Sequence, residues 1–172
     1  MNYLTYINDE GESEIFTVFL IHGHSPVRNK IAQFIEQELN MKVEVSVDRY
    51  EGKVVLQKIK ESVWHVCDCA VAILSPDDVD SNGGAIARQN VLFELGYCMG
   101  FWDAYYWGDE SIEPVIIIKE RQVVLGSDLQ GVEYIEYNGR SIKNACEKLK
   151  GALEKIYNCL SKGEKKKPAD KT

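Results

Sequence analysis

Aliphatic residues gather in five short stretches of the chain, and between them apolar residues recur at helical spacing. Ile15 to Ile21 (IFTVFLI) is a continuous apolar run followed by HGHSP, which predicts a buried strand leaving the core through a glycine turn. Ser25 stands where it can cap a helix whose first position is Pro26, and Val27, Ile31, Phe34, Ile35 and Leu39 mark that helix's inner face. Lys42 to Val47 (KVEVSV) alternates as a second strand; after the polar DRYEGK, the residues Val55, Leu56, Ile59 and Val63 predict an amphipathic helix. Cys69 to Ser75 (CAVAILS) is apolar enough for the centre of a sheet, and PDDVDSNGG after it reads as a loop with Pro, Asx and Gly turn chemistry. A helix containing ARQNVLFELGY, Ala87 to Tyr97, comes next, then a strand over Pro114 to Glu120 and a weaker edge strand over Val132 to Tyr137. A last helix carries Ile142, Cys146, Leu149, Leu153, Ile156 and Leu160 on one face.

Strand and helix alternate throughout, which predicts an α/β fold: a flavodoxin-like, parallel sheet of about five strands with helices on both faces. Ligands bind such sheets at the carboxyl ends of the strands. That edge collects His22, Gly23, His24 and Ser25 after the first strand, Asp48, Arg49 and Tyr50 after the second, and Pro76 and Asp77 after the third. Arg88 and Asn90, at the start of the ARQN helix, join them. The chain shows no internal repeat or linker. Residues 1–13 read as an N-terminal extension, 14–162 as one domain, and the charged, Pro-containing 163–172 as a disordered basic tail.

Composition narrows the function classes. A net charge of -7 excludes a general nucleic-acid binder, because neutralising phosphates needs a dense basic face. The start of the chain lacks the basic and apolar regions of a secretory signal, and nothing approaches the ~18 apolar residues that span a bilayer, so the expected location is cytoplasmic, with no membrane partner. Five cysteines without a CxxC pair are expected to be reduced, buried thiols.

Along the ARQN helix, at ~100° per residue, Val91, Leu95, Cys98, Met99 and Trp102 form the core stripe with Leu92. Glu94 falls at the margin of that stripe, in a row with Asn90 and Phe101. Periodicity leaves two roles open for it, a carboxylate bonded to a neighbour at the core edge or a group that does chemistry. Arg88 and Asn90 favour the second, since a helix start attracts anions. His22 and His24 lack a third ligand cluster, so no metal site is expected. The backbone N–H groups of Gly23 to Ser25 can instead receive a phosphate, or His22 simply ends the strand while Gly23 lets the chain turn. Asp77 and Asp78 are consistent with turn formation and, alternatively, with a phosphoacceptor receiver. The sequence contains no GxGxxG, P-loop, GxSxG or HExxH motif, which removes the main support for dehydrogenase, P-loop, α/β-hydrolase and zincin readings.

VFLIHGHS, AVAILSPDDV and ARQNVLFELGY, in this order and at these separations, resemble the TIR-like domain of bacterial antiphage effectors of the CBASS and Pycsar type. The resemblance covers Phe16 to Tyr137. It implies a flavodoxin-like TIR domain, and an enzyme that cleaves the nicotinamide N-glycosidic bond of NAD+ to release nicotinamide and ADP-ribose or a cyclised relative. It also implies that Glu94, in the FELGY motif, is the catalytic carboxylate, with Arg88 and Asn90 supporting the site. NAD+ is then the substrate and no separate cofactor is expected. The resemblance further implies a homo-oligomer on activation and a cyclic-nucleotide sensor domain or protein as a partner. DRYEGK corresponds to the BB loop that gates the pocket and mediates self-assembly; Glu51 to Lys53 keep a glycine and a basic residue there, while the first part departs from the family pattern. Tyr50 and Trp102 are candidate stacking aromatics. The alternative is a non-catalytic TIR module that binds nucleotide and signals by association.

Overall fold

The computed structural model describes residues 2–8, 10–45, 55–106, 112–139 and 141–162. Among them the elements run β1 (Thr5–Ile7), β2 (Ser13–Ile15), β3 (Thr17–His22), α1 (Val27–Gln33) extended by a π turn (Phe34–Glu38), β4 (Lys42–Val45) and α2 (Val55–His65). They continue with β5 (Cys69–Leu74), β6 (Asp78–Val79), β7 (Ala85–Ile86), α3 (Gln89–Tyr105), β8 (Val115–Glu120), β9 (Ile135–Tyr137) and α4 (Lys143–Ser161).

Five strands pair in parallel in the order β4-β3-β5-β8-β9. Read by sequence rank this is 2-1-3-4-5, the flavodoxin-like winding. All six residues of β5 are buried, so both faces of the sheet's centre are covered, as the unbroken apolar run CAVAIL requires. β4, at one margin, keeps half-buried and exposed residues, and β9, at the other, is short. Helix α3 packs on β3, β5 and β8 through Val91, Leu95, Cys98 and Trp102. In α2, Ile59 and Val63 are buried as the period predicts; the side chains of Val55 and Leu56 lie outside the described residues.

Four details differ from the sequence reading. The cap of α1 is Pro26, not Ser25; the Ser25 hydroxyl only approaches the Val27 amide, at 3.4 Å. PDDVDSNGG is no open loop. Asp80 accepts the amides of Asn82 (2.8 Å) and Gly84 (2.7 Å), and Gly83 takes a φ of +82°, which closes β6 and β7 into an antiparallel hairpin. Two-residue strands are too short for periodicity to reveal. The first residues pair as the β1–β2 hairpin and dock: the Tyr6 hydroxyl reaches buried Asp68, whose other oxygen accepts the Thr17 amide at 2.8 Å. Finally, the last sheet strand begins at Ile135 rather than Val132.

The five cysteines are unpaired thiols; Cys69, Cys98 and Cys146 are buried, and Cys67 and Cys159 are half-buried. Among the described residues no helix is long and apolar enough to cross a membrane.

Candidate functional site

The strand order reverses at β3, whose neighbours β4 and β5 are the next two strands of the sheet in chain order. The crevice beyond the carboxyl ends of β3 and β5 is the place where such sheets bind ligands. There His22–Ser25 leaves β3 and Ser75–Asp77 leaves β5. The two segments are locked together by Asp77: its Oδ2 accepts the Ser75 hydroxyl at 2.8 Å and the His24 amide at 3.2 Å. Only glycine fits above it, since a Cβ on Gly23 would stand 1.7 Å from that same oxygen.

Two arginines reach this turn. Arg28, on the first turn of α1, places Nη1 3.3 Å from the Gly23 carbonyl and 3.2 Å from His22 Nδ1. The carbonyl also lies 2.8 Å from His22 Nδ1 and can only accept, so the ring donates to it; Arg28 then bonds the carbonyl and merely approaches the ring. Arg88, the cap residue of α3, reaches His24 Nε2 from the other side.

Glu94 lies in the second turn of α3 and is only 7% exposed, whereas its row-mate Asn90 is exposed. Its carboxylate belongs to the buried side of the helix, next to Cys98, whose thiol is pushed up to about 12 by burial and by the Glu94 charge. The predicted residues His22, Gly23, His24, Ser25, Asp77 and Arg88 therefore converge on one turn, with Pro76 half-buried beside them. Asn90 sits exposed on the first turn of α3, outside these contacts. Asp48, Arg49 and Tyr50 lie outside the described residues. Trp102 is 2% exposed within the core stripe, so it is packing and not a stacking platform for a ligand.

Two functional candidates escaped the sequence reading. Arg28 sits on the first turn of the proline-capped helix and drew no motif; its proximity to the strand end was its one legible signal. Tyr137 ends β9 and is 3% exposed. Its hydroxyl faces Ser25, near enough for Ser25 to draw its pKa down, yet closes no hydrogen bond of good geometry; burial foremost, then the Glu120 charge, pushes the phenol up to about 12. Lys119 matters by exclusion. It is buried and gives Nζ to the carbonyls of Glu120 (3.2 Å), Arg121 (3.2 Å) and Val123 (2.9 Å), so its ammonium is not directed at Asp77 as a phosphoacceptor pocket would need. Among the described residues no three His, Cys, Asp or Glu side chains gather as a metal-ligand set.

Five parallel strands in the order β4-β3-β5-β8-β9, with helices between them, define a flavodoxin-like α/β domain. A family model described as "CAP12/Pycsar effector protein, TIR domain" matches residues 17–139, from the start of β3 to just beyond β9, and the chain belongs to this family. It is also similar to the uncharacterized protein YuaY of Escherichia coli (strain K12), 26% identical over 152 residues that make up 78% of this chain and 46% of that protein. The chain thus spans less than half the length of this curated relative.

Proposed function

We propose that the chain is an NAD+ glycohydrolase of the TIR class that serves as an antiphage effector, with Glu94 as the carboxylate at the reacting ribose. One observation carries the reading: Glu94 is held almost out of solvent on the helix that starts at the sheet's ligand-binding edge. Cleavage of the N-glycosidic bond develops oxocarbenium character on the ribose, and a fixed carboxylate in a water-poor site stabilises that charge more than bulk water does. Nicotinamide leaves as a neutral ring, so no acid is needed to protonate it and one carboxylate suffices. The core stripe of Val91, Leu95 and Cys98 fixes the helix and so orients Glu94.

Activation by assembly or by a sensor partner belongs to the same proposal. The test is chromatography of NAD+ incubated with concentrated protein, together with a size measurement. Nicotinamide release should appear with assembly and fall on the order of 10²–10³-fold in Glu94→Gln. Equal release by Glu94→Gln and wild type would refute the role of Glu94. Tight nucleotide binding and self-association without release under any activating condition would instead support a non-catalytic signalling module.

A further inference from the structure

We propose that the solvent face of α3 is a contact surface for a second copy of this chain, the two helices packing antiparallel about a two-fold axis that passes beside Gly96 and Tyr97. The inference specifies the assembly invoked with the function proposed above and does not depend on the chemistry.

The outer faces of the two longest helices differ. In α4 the exposed residues include Lys143, Glu147, Lys148, Lys150, Glu154 and Lys155, an ordinary solvated face. In α3 they are Gln89, Asn90, Phe93, Gly96, Gly100, Asp103 and Ala104, with one charge among them. The opposite side of α3, Val91, Leu95, Cys98 and Trp102, is the core stripe. A helix without a charged face is suited to cover on both sides, and the domain covers only one. Phe93 is 55% exposed. Trp64 of α2, 59% exposed, extends the patch: its ring lies against Phe101, 5.7 Å between centroids, and its Nε1 donates to the Tyr97 hydroxyl at 3.0 Å.

The glycines are the second observation. Gly96 and Gly100 stand in the interior of α3, where glycine is the weakest helix former after proline, and a Cβ at either would meet nothing within 4 Å. Among the described residues nothing requires them. Gly151 of α4 is equally open, but Glu147, Lys148, Glu154 and Lys155 surround it on that helix, so an open glycine by itself marks no contact. On α3 the two glycines share an arc of ~100° with Phe93, Tyr97 and Ala104, and there they leave a notch beside large rings.

A second copy is the occupant that this pattern fits. A two-fold axis at the level between Gly96 and Tyr97 sets Phe93 level with Gly100 of the partner subunit and Gln89 level with Ala104 of the partner subunit, and the reverse. Each large side chain then meets a small one, while Gly96 lets the backbones approach. Charge agrees with this choice. The chain carries -7, which opposes its own association, yet this face brings two copies together with Asp103 level with Asn90 of the partner subunit and away from its own counterpart. The area sets the strength. Seventeen residues span ~26 Å, and a strip ~10 Å wide along that length, even with Trp64, falls below the ~800 Å² per partner of a standard stable interface. The dimer should therefore be weak, with a dissociation constant of roughly 10 µM to 1 mM.

Sedimentation of the full chain from about 5 µM to about 1 mM tests the interface. Wild type should pass from monomer to dimer across that range, and Phe93→Asp should weaken dimerisation at least ~10-fold. Gly100→Gln fills the notch with a better helix former, so it should weaken dimerisation by a similar factor while raising the urea midpoint of the dilute monomer. A residue that only serves the fold does not give those opposite signs. Orientation is read by oxidative cross-linking. A mixture of Phe93→Cys and Gly100→Cys chains should form disulfide-linked dimers above the background of the native thiols. Either variant alone should not, because like positions lie ~10 Å apart along the axis, beyond the ~7 Å that a disulfide spans between Cα atoms. A wild type that stays monomeric at the highest concentration overturns the proposal and leaves the face to a different protein. Wild-type dimerisation by both Phe93→Asp and Gly100→Gln overturns it as well, and cross-linking by either cysteine variant alone overturns the antiparallel arrangement. Nicotinamide release is scored separately: variant-sensitive dimerisation without release keeps the interface and rejects the glycohydrolase, whereas release by a wild type that never dimerises does the reverse.

Discussion

Gly23→Ala tests how the site is built. The φ of Gly23 lies outside the left-handed region, so an alanine backbone is tolerated and the whole cost falls on contact. The added Cβ would lie 1.7 Å from Asp77 Oδ2 and 2.9 Å from its Cγ, far inside van der Waals distance, so the carboxylate must rotate away. Rotation breaks the bonds from the Ser75 hydroxyl and the His24 amide. Hydrogen bonds to a charged acceptor are worth ~1.5–3 kcal/mol each; Asp77 is half-buried and water can replace part of what is lost, which puts the sum at about 1–3 kcal/mol. Urea unfolding should show a lower midpoint at constant slope.

The cause is separable from a general intolerance of bulk. In an Asp77→Ala background the space that Cβ needs is vacant, so Gly23→Ala should cost no more than a few tenths of a kcal/mol there, giving a coupling of about 1–3 kcal/mol across the double-mutant cycle. Additive losses would refute the reasoning, because they would mean that Asp77 is not what excludes a side chain at position 23.

Lys119→Met removes three carbonyl partners from a buried ammonium and should cost about 2–4 kcal/mol in the same assay; a neutral result would mean that those carbonyls find other donors. Asp68→Ala leaves the Thr17 amide and the Tyr6 hydroxyl without that acceptor at the foot of the sheet, for a loss of about 2–4 kcal/mol and faster proteolysis in the β1–β2 hairpin. Burial, joined for Cys98 by the Glu94 charge, raises Cys98 from 9.0 to about 12, and burial raises Tyr137 from 10.0 to about 12. The unfolded chain releases these protons first, so stability should fall as pH rises from about 9 to about 12, by ~1.4 kcal/mol per pH unit for each proton withheld. Cys98→Ala should flatten that slope, and an unchanged slope would exclude its share.

The sheet was legible because its signal is local. A strand buried on both faces must be apolar at every position, and Cys69–Leu74 is. The winding followed from alternation, and with it the edge where His22–Ser25, Asp77 and Arg88 meet. Contacts set by packing across distant segments were not legible. Nothing in RNK marks Arg28 as the residue that returns to the strand end, and nothing in EYIEY says that Tyr137 will face Ser25. The β6–β7 hairpin hid because its strands are two residues long, and Trp102 was offered to a ligand although its own period put it in the core. Glu94 lay between these cases: periodicity left it at a margin, and the few degrees that decide burial depend on how α3 sits on β3, β5 and β8.

The two ends of the sheet differ in how their polar groups are spent, and that difference explains why function is expected at one of them. At the amino end Asp68 is engaged by the Thr17 amide and the Tyr6 hydroxyl, an arrangement that closes the domain with the β1–β2 hairpin. At the carboxyl end Asp77 and Lys119 are likewise consumed, by the Ser75 hydroxyl and His24 amide and by three carbonyls. Among the described residues, what remains there is Arg28 on the Gly23 carbonyl, Arg88 on the His24 ring, and a buried phenol without a hydrogen-bond partner. Replacing Tyr137 by Phe removes a buried hydroxyl without a hydrogen-bond partner and should leave the urea midpoint unchanged or raised; a lowered midpoint would show that the hydroxyl is bonded in the folded protein.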